Sequence, residues 1–381
     1  MILHDVSLKG SAERKHIHIK KGIIRTITTR REMLDQLQDE ERLELDGALV
    51  LPGFINSHDH LDFNLFPQLG NRVYANYTEW GRDIHIVNAG IVAAVQKIPL
   101  PLRIQWGLYK NLLNGFTTVV NHGEYLQTGD ELVNVFQDCY SLHSPAFEKK
   151  WTLKLNHPLR NRKPFVMHIG EGTDEAAVSE INTVIRSNFF TRRIIAVHGV
   201  AMDKEKAASF AAIVWCPASN YFLLGKTAPV DLLQQAAKIV FGTDSTLTSS
   251  WYAGEHFKRA IGTGMVKEEE LLDMLTVTPA RVWGLDDRGR VEEGMRADLL
   301  IMENGSKFFR EIPAGIVIVM NGGEIKVLAE NMQQLLQLPG IADFDRIVIK
   351  GRTMLVKPGI IKLVKEILSF YPAAIIPFEI A

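Results

Sequence analysis

The sequence predicts an α/β fold in which a closed parallel barrel is joined to a smaller β domain built from both chain ends. Two textures and one regularity carry that expectation. Residues 1–50, and the stretch after 290, read as short strands punctuated by Gly and charged turns. Between them, β-branched runs alternate with helix-like stretches, the pattern of a parallel sheet covered on both faces. Strand starts near 165, 192, 211 and 237 recur at the compact spacing of βα units, which favours closure into a barrel.

In chain order, "MILHDVSLKG", "KHIHIKKGIIRTITT" and "RLELDGALV" are the first strands, and the only early helical period is "EMLDQLQDEER". The barrel strands follow in "LVLPGFINSHDH", "GFTTVVNH", "KPFVMHIGEG", "RRIIAVHGV", "AAIVWCPASN" and "AKIVFGTDS". In "TVTPARVWG" the expected helix has Thr278 as N-cap, Pro279 at its first position and Gly284 past its end. Strand texture returns in "GRVEEGMRADLLIM" and "AGIVIVMNGGEIKVLA". The expected division is therefore 1–50 with 290–330 as the β domain and 51–289 as the barrel. Residues 331–381 form a C-terminal extension with a helix whose apolar face is Ile360, Ile361, Val364 and Ile367. That face is expected to pack on the rest of the chain, with a homodimer contact as the alternative. One stretch does not fit: residues 123–163 are too few for two complete βα units at about 30 residues each, so a unit near strands three and four is expected to be degenerate.

Composition narrows the function. The chain has 381 residues, 46% of them hydrophobic and 23% charged, with net charge −1. That balance gives no electrostatic case for nucleic acid or an anionic membrane as partner. Two cysteines without a CxxC do not make a disulfide scaffold and suit a reducing, cytoplasmic setting. No signal-peptide layout or apolar run of membrane-spanning length is present, so a small-molecule partner is expected.

The chemistry gathers at strand ends. His58 and His60 follow the first barrel strand one residue apart, on one face by alternation. His168, His198 and Asp244 each end a later strand. In a parallel barrel these ends open on one rim, where four imidazoles and a carboxylate suit a borderline divalent ion. Read singly, each has an ordinary alternative: a strand-end histidine is commonly a hydrogen-bonded loop residue, and an aspartate caps helices. Coincidence would have to repeat that placement five times. Glu171, three residues past His168, reads either as a solvated helix-start glutamate or as a general acid/base beside the ion.

The elements "PGFINSHDH", "GFTTVVN", "HIGEGTDE", "VHGV", "VWCPASNYFLL", "FGTDS", "TPARVWGL" and "GRVEEGMRADLLIM" resemble the amidohydrolase superfamily, within it the cytosine-deaminase-like and chlorohydrolase-like branch. The resemblance runs from about residue 1 to about 325. It implies a (β/α)8 TIM-type barrel, a small β-sandwich from both chain ends, and one Zn²⁺ or Fe²⁺. It also implies His58, His60, His168 and Asp244 as metal ligands, with His198 beside the metal-bound water and Glu171 shuttling protons. Asn220, in "CPASN", stands where the family keeps a polar residue, a structural hydrogen-bonder or a substrate contact. His143 in "SLHSP" is the candidate for the substrate-touching histidine that many relatives carry after the fourth strand, although here it follows directly on the third. A carboxylated lysine bridging two metals has candidates in Lys149, Lys150 and Lys154, none at a clear strand end, and the HxxE spacing favours one metal. The zinc-deaminase signature with PCxxC is excluded, because Cys216-Pro217 has no second cysteine two residues on.

The expected mechanism is attack by a metal-bound hydroxide on an electron-poor carbon. Asp244 takes the water's proton, His198 steadies the attacking oxygen, and Glu171 protonates the ring nitrogen or leaving group. A C–N hydrolase, foremost a deaminase of a heterocycle, leads. A ring-opening cyclic amidase or a chlorohydrolase uses the same ligands, and a non-catalytic ligand-binding barrel is the alternative of another class. Trp80, His122 and Asn220 are the expected substrate-binding residues, with Asn121, Glu124 and Trp251 as further wall candidates, although the two tryptophans serve equally well as covers of apolar surface.

Overall fold

The computed structural model describes residues 1–381 except 39, 129–131, 306 and 333–339, so residues 333–339, near the start of the expected extension, lie outside the described residues. Both chain ends share one eleven-stranded sheet. From the N-terminal side come β1 (Ile2–Leu8), β2 (Lys15–Lys20), β3 (Ile23–Thr28), β4 (Arg42–Glu44) and β5 (Leu49–Pro52). Next in the chain are the parallel strands β6 (Phe54–Asp59), β7 (Phe116–Asn121), β8 (Asn134–Phe136), β9 (Tyr140–Ser141), β10 (Phe165–Ile169), β11 (Ile194–His198), β12 (Ala212–Trp215) and β13 (Lys238–Phe241). The chain then returns to the first sheet as β14 (Leu299–Met302), β15 (Ile316–Asn321), β16 (Glu324–Ala329), β17 (Asp345–Ile349), β18 (Arg352–Val356) and β19 (Glu379–Ile380).

In the first sheet the order is β19-β17-β18-β16-β15-β14-β5-β1-β2-β3, with β4 on β1. Its seam is β5, parallel to β1 on one side and antiparallel to β14 on the other. Three of its hairpins use the same two-residue turn: Lys21-Gly22, Gly322-Gly323 and Lys350-Gly351 all have positive φ at both positions. Such turns match the natural twist of a hairpin and need glycine at the second position. This sheet has its own core, with Leu3, Ile17, Leu43, Val50, Leu299 and Ile318 among its members. The sheet continues past residue 330 through β17 and β18. In the helix Ile360–Phe370 the buried face is Ile360, Leu363, Val364 and Ile367. It packs against the barrel core beside Trp106 and Tyr109, whereas Ile361 is only partly buried.

Pro52-Gly53 leads β5 straight into β6, and any side chain at Gly53 would collide with Thr117 at 2.3 Å. The parallel strands fall into two hydrogen-bonded sets, β6-β7-β8 and β13-β12-β11-β10-β9. The sets meet where the Asp244 N–H donates to His58 O at 3.0 Å, which closes β13 on β6. One cluster takes Ile55, Val120, Val166, Val197, Val214 and Val240, apolar residues of six different strands, and fills the interior above Trp283. The opposite faces, with Phe54, Phe116, Phe165 and Phe241, pack on the helices.

The expected degenerate unit takes a definite form. Only residues 137–139 separate β8, which pairs with β7, from β9, which pairs with β10. Two neighbouring parallel strands need a crossover of a dozen or more residues. β8 and β9 therefore occupy one wall position as a single broken strand. The described residues thus make a TIM-type parallel barrel of eight strand segments in seven wall positions. A second expectation shifts by two residues: the helix Val277–Trp283 has Thr276, not Thr278, at its N-cap, although Gly284 does end it at φ 70°. Thr276 spends its hydroxyl on Leu272 O, closing the preceding helix, so the segment is a helix–helix junction and not a fresh start. Among the described residues no helix is long and apolar enough to cross a membrane.

Candidate metal centre

β6 carries His58 into the rim with His60 one residue past its end, β10 brings His168, β11 ends in His198, and Asp244 lies just past β13. All five are buried. His58 Nε2 stands 3.2 Å from His168 Nε2 and 3.7 Å from Asp244 Oδ1, and His60 Nε2 stands 3.9 Å from the same oxygen. Two nitrogens on one tetrahedral ion, each about 2.0–2.1 Å from it, are about 3.3 Å apart, so this spacing suits a shared cation. Ligand atoms of His58, His60, His122 and His168 lie within 4.8 Å of one another, as do those of His58, His198 and Asp244.

A dense ionic network supports the His58 side from beneath. Asp59, between the two histidines, is fully buried and pairs with Lys110 at 3.2 Å. Asn111 donates to Asp59 Oδ2 at 2.7 Å and Asn64 to Oδ1 at 2.9 Å. The Lys110 ammonium also donates to Asn64 Oδ1 at 2.8 Å and to the Asp244 carbonyl at 2.9 Å. That last bond steadies Asp244, whose φ of 57° is costly for a residue with a side chain. Behind His58 stands His122. Its Nε2 lies 3.0 Å from Leu142 O, which can only accept, so the proton is on Nε2 and the Nδ1 lone pair faces His58 Nδ1 at 3.4 Å. His58 then carries its proton on Nδ1 and turns the Nε2 lone pair inward, the tautomer a ligand needs.

His198 is supported by the opposite logic. Trp215 Nε1, a donor only, donates to Thr227 Oγ1 at 2.7 Å, which leaves that hydroxyl to donate to Asn220 Oδ1 at 3.1 Å. The Asn220 amide then donates to His198 Nδ1 at 2.8 Å. His198 therefore holds its proton on Nε2, which faces Glu171 Oε1 at 3.5 Å and Asp244 Oδ2 at 4.0 Å. That is the tautomer of a hydrogen-bond donor, not of a ligand. Asp244 itself is aimed by Ser219 Oγ at 2.8 Å, Thr248 Oγ1 at 3.2 Å and the Ser245 N–H at 2.7 Å.

Burial sets the charges. Desolvation, with His58 beside it, brings the His60 imidazole down to about 3. Desolvation likewise brings His198 to about 3 and takes His122 and His168 well below the ordinary range. These four imidazoles are thus neutral at pH 7. Burial would raise the Asp244 carboxyl, yet the facing His58, His198 and His60 hold it well below its usual value. Glu171 goes the other way: burial, then the charges of Asp244 and Glu180, push its carboxyl well above the usual range. Two carboxyls with separated protonation states beside one cluster are the arrangement of a base and an acid.

A cavity of about 630 Å³ opens onto His60, His168, Glu171, His198 and Asp244. A larger depression of about 850 Å³, beside Tyr221, Lys258 and Arg259, contains none of them. Trp80 lines the site's cavity, and so does His143. His122 and Asn220 do not, and the hydrogen bonds above explain why: His122 stands behind His58 and Asn220 behind His198. Trp251 packs on Trp106, Tyr252 and Phe378, and Asn121 accepts from the Leu61 N–H. Glu124 is solvent-exposed. Lys149, Lys150 and Lys154 are exposed too, with Lys154 paired to Glu148. Sequence reasoning missed Lys110, Ser219 and Thr248. Of these only Lys110 had a signal, a charge inside the largely apolar stretch "WGLYKNLL" of the helix Leu100–Leu113.

Known proteins agree with this geometry. Residues 157–329 match the amidohydrolase family. A 5-methylthioadenosine/S-adenosylhomocysteine deaminase of Caldicellulosiruptor saccharolyticus is 22% identical, covering 78% of this chain and 82% of its own. An adenosine deaminase of Xanthomonas campestris, solved with zinc, has a TM-score of 0.71 at 16% identity, covering 97% of both chains. An atrazine chlorohydrolase of Arthrobacter aurescens, solved with zinc and atraton, has a TM-score of 0.66 at 15% identity, covering 97% of this chain and 99% of its own. Together these define a class by similarity: the chain resembles amidohydrolases over residues 157–329 and shares the fold of solved deaminases and a chlorohydrolase.

Proposed function

We propose that the chain is a metal-dependent hydrolase of carbon–nitrogen bonds that deaminates a heterocycle. The observation carrying this reading is the convergence of His58, His60, His168, His198, Asp244 and Glu171 on one cavity at the rim of a parallel barrel. The donor set fits a divalent cation: neutral imidazoles at His60 and His168, an ionised carboxylate, and a His58 lone pair aimed inward. His58, His60, His168 and Asp244 would hold it, and the N/O set suits Zn²⁺ first and Fe²⁺ second. When bound, such an ion supplies a Lewis acid that acidifies water at neutral pH.

The chain's own residues do the rest. Asp244, kept ionised, accepts the proton that the attacking water gives up. His198, with its proton fixed on Nε2 by Asn220, donates to the charge developing at the attacked carbon's new oxygen. Glu171, whose carboxyl burial pushes well above its usual range, delivers a proton to the ring nitrogen or the departing amine. The unpaired thiols Cys139 and Cys216 are consistent with the cytoplasmic setting we assign. We also read the terminal sheet, wrapped on its own core, as a small sandwich that braces the barrel.

The test pairs elemental analysis with a panel of amino-heterocycles and cyclic amides, scored for ammonia and for ring opening. Ammonia from an amino-heterocycle is expected. Ring opening without ammonia would instead make the enzyme a cyclic amidase. Glu171→Gln should retain the metal and lose turnover by about 10²–10⁴-fold. A Glu171→Gln enzyme with the native rate would remove the proton-shuttle role.

A further inference from the structure

We infer that the substrate is an uncharged amino-heterocycle carrying an apolar substituent, and not a nucleoside or nucleotide. The inference rests on the deaminase reading above and on the composition of the cavity wall. Beyond the metal centre the wall is Phe63 and Phe66 from the turn after β6, Trp80 and Ile84 from the helix Tyr77–Val87, Phe147 from the loop after β9, and Leu247 after Asp244.

Its two large amphipathic rings, Trp80 and Tyr77, have spent their polar atoms on the protein, which leaves His143 and Ser245 as the uncommitted polar side chains near the metal centre. Trp80 Nε1 donates to Leu69 O at 2.7 Å, and the Tyr77 hydroxyl donates to Glu180 at 2.7 Å, so both rings offer the cavity carbon and π-face. Thr248, also on the wall, donates to Asp244. Among the described residues the lining holds no carboxylate besides Glu171 and Asp244, which we place in the metal centre. Its single guanidinium, Arg82, is solvent-exposed and tethered to Thr78 through Nε at 3.1 Å. His85 and Gln96 are exposed as well.

A ribose buried here would bring hydroxyls, and a phosphate would bring charge. A hydroxyl desolvated without a partner weakens binding, and a phosphate needs a fork of donors fixed within the site. Among the described residues the wall supplies a hydroxyl only His143 Nε2 and Ser245 Oγ, both beside the metal centre, and it supplies a phosphate no fork of donors. Ring faces and branched aliphatics instead bury apolar surface and stack flat rings. Glu171 and His198 remain to read the edge of the ring being attacked. The relative named for nucleoside-type substrates thus resembles this chain in sequence, while this wall selects a different appendage on the base.

The test uses full-length, metal-loaded protein and four probes that share one base: 9-benzyladenine, adenosine, 5′-methylthioadenosine and adenosine 5′-monophosphate. Affinity is measured by calorimetry on the Glu171→Gln protein, so that it reads independently of turnover, and ammonia release is measured on the native enzyme. We expect 9-benzyladenine to bind at least tenfold tighter than either nucleoside, with the monophosphate weakest. A nucleoside that binds as tightly as 9-benzyladenine, or tighter, overturns the inference and leaves the deaminase reading intact. Conversely, absence of ammonia from every amino-heterocycle of the wider panel defeats the deaminase reading, while the ranked affinities still decide the wall's preference.

Discussion

His58 and His198 face each other across the centre with ring centroids 5.8 Å apart, yet they are held by opposite means. Beneath His58 lies an ionic network, Lys110 with Asp59, and behind it a histidine that accepts its Nδ1 proton. Behind His198 lies a neutral relay from Trp215 through Thr227 to Asn220 that donates to its Nδ1. One support exposes a lone pair and the other exposes a proton. In the reading we propose, the same side chain serves as a ligand or as a hydrogen-bond donor according to what stands behind it, and so a cluster of identical residues divides its labour.

Breaking the ionic side should do the most damage to the fold. Lys110→Met strands the buried Asp59 charge and is expected to cost about 3–5 kcal/mol of stability, read as a fall in denaturation midpoint. The double variant with Asp59→Asn should recover part of that loss. If Lys110→Met melts like the native protein, the network is not what holds the His58 strand end.

A smaller pair of effects sharpens the contrast between the two supports. His122→Phe should weaken metal affinity by about 10–100-fold while turnover at saturating metal changes little. Asn220→Leu should do the reverse, with metal affinity kept and kcat reduced by about 10–100-fold, because His198 loses the partner that holds its proton on Nε2. Competition with a chelator and steady-state kinetics separate the two. Identical losses in both assays would mean that the two tautomers are not assigned as described.

The smallest effect is a pH slope. His256 is buried with Nε2 at 2.7 Å from Ser250 O, and burial brings its imidazole down to about 4. Because the folded value lies below the unfolded one of 6.5, the unfolded chain binds the extra proton as pH falls. This residue's contribution is therefore level above pH 6.5 and is lost on acidification toward about 4, by at most about 1.4 kcal/mol per pH unit. Melting of metal-free His256→Gln beside the native protein, at pH 7 and pH 5, should show the shallower acid loss in the variant.

Much of this was legible in the sequence, for local reasons. Strand-end residues declare themselves because alternation and a parallel barrel bring every C-terminal end to one rim, so His58, His60, His168, His198 and Asp244 could be gathered without coordinates. The strands near 165, 194, 212 and 238 stand out as β-branched runs. The broken strand did not, since "NVF" and "YS" are too short to carry a period. His122 and Asn220 were read as pocket residues because the partners that commit them, Leu142 O and Thr227, are contacts of the fold rather than of the local sequence. Lys110 lay hidden because a lysine in an amphipathic helix ordinarily reads as solvated. The aromatic wall comes from turns and from a helix beyond the strands, where no period points toward the cavity.

The central claim is that these rim residues grip one cation. Elemental analysis of the purified native protein beside His58→Ala tests it most directly. One divalent ion per chain in the native protein, absent from His58→Ala at equal folded yield, is the predicted result. Equal metal content in the two, or none in the native protein after reconstitution with Zn²⁺ and with Fe²⁺, would contradict it.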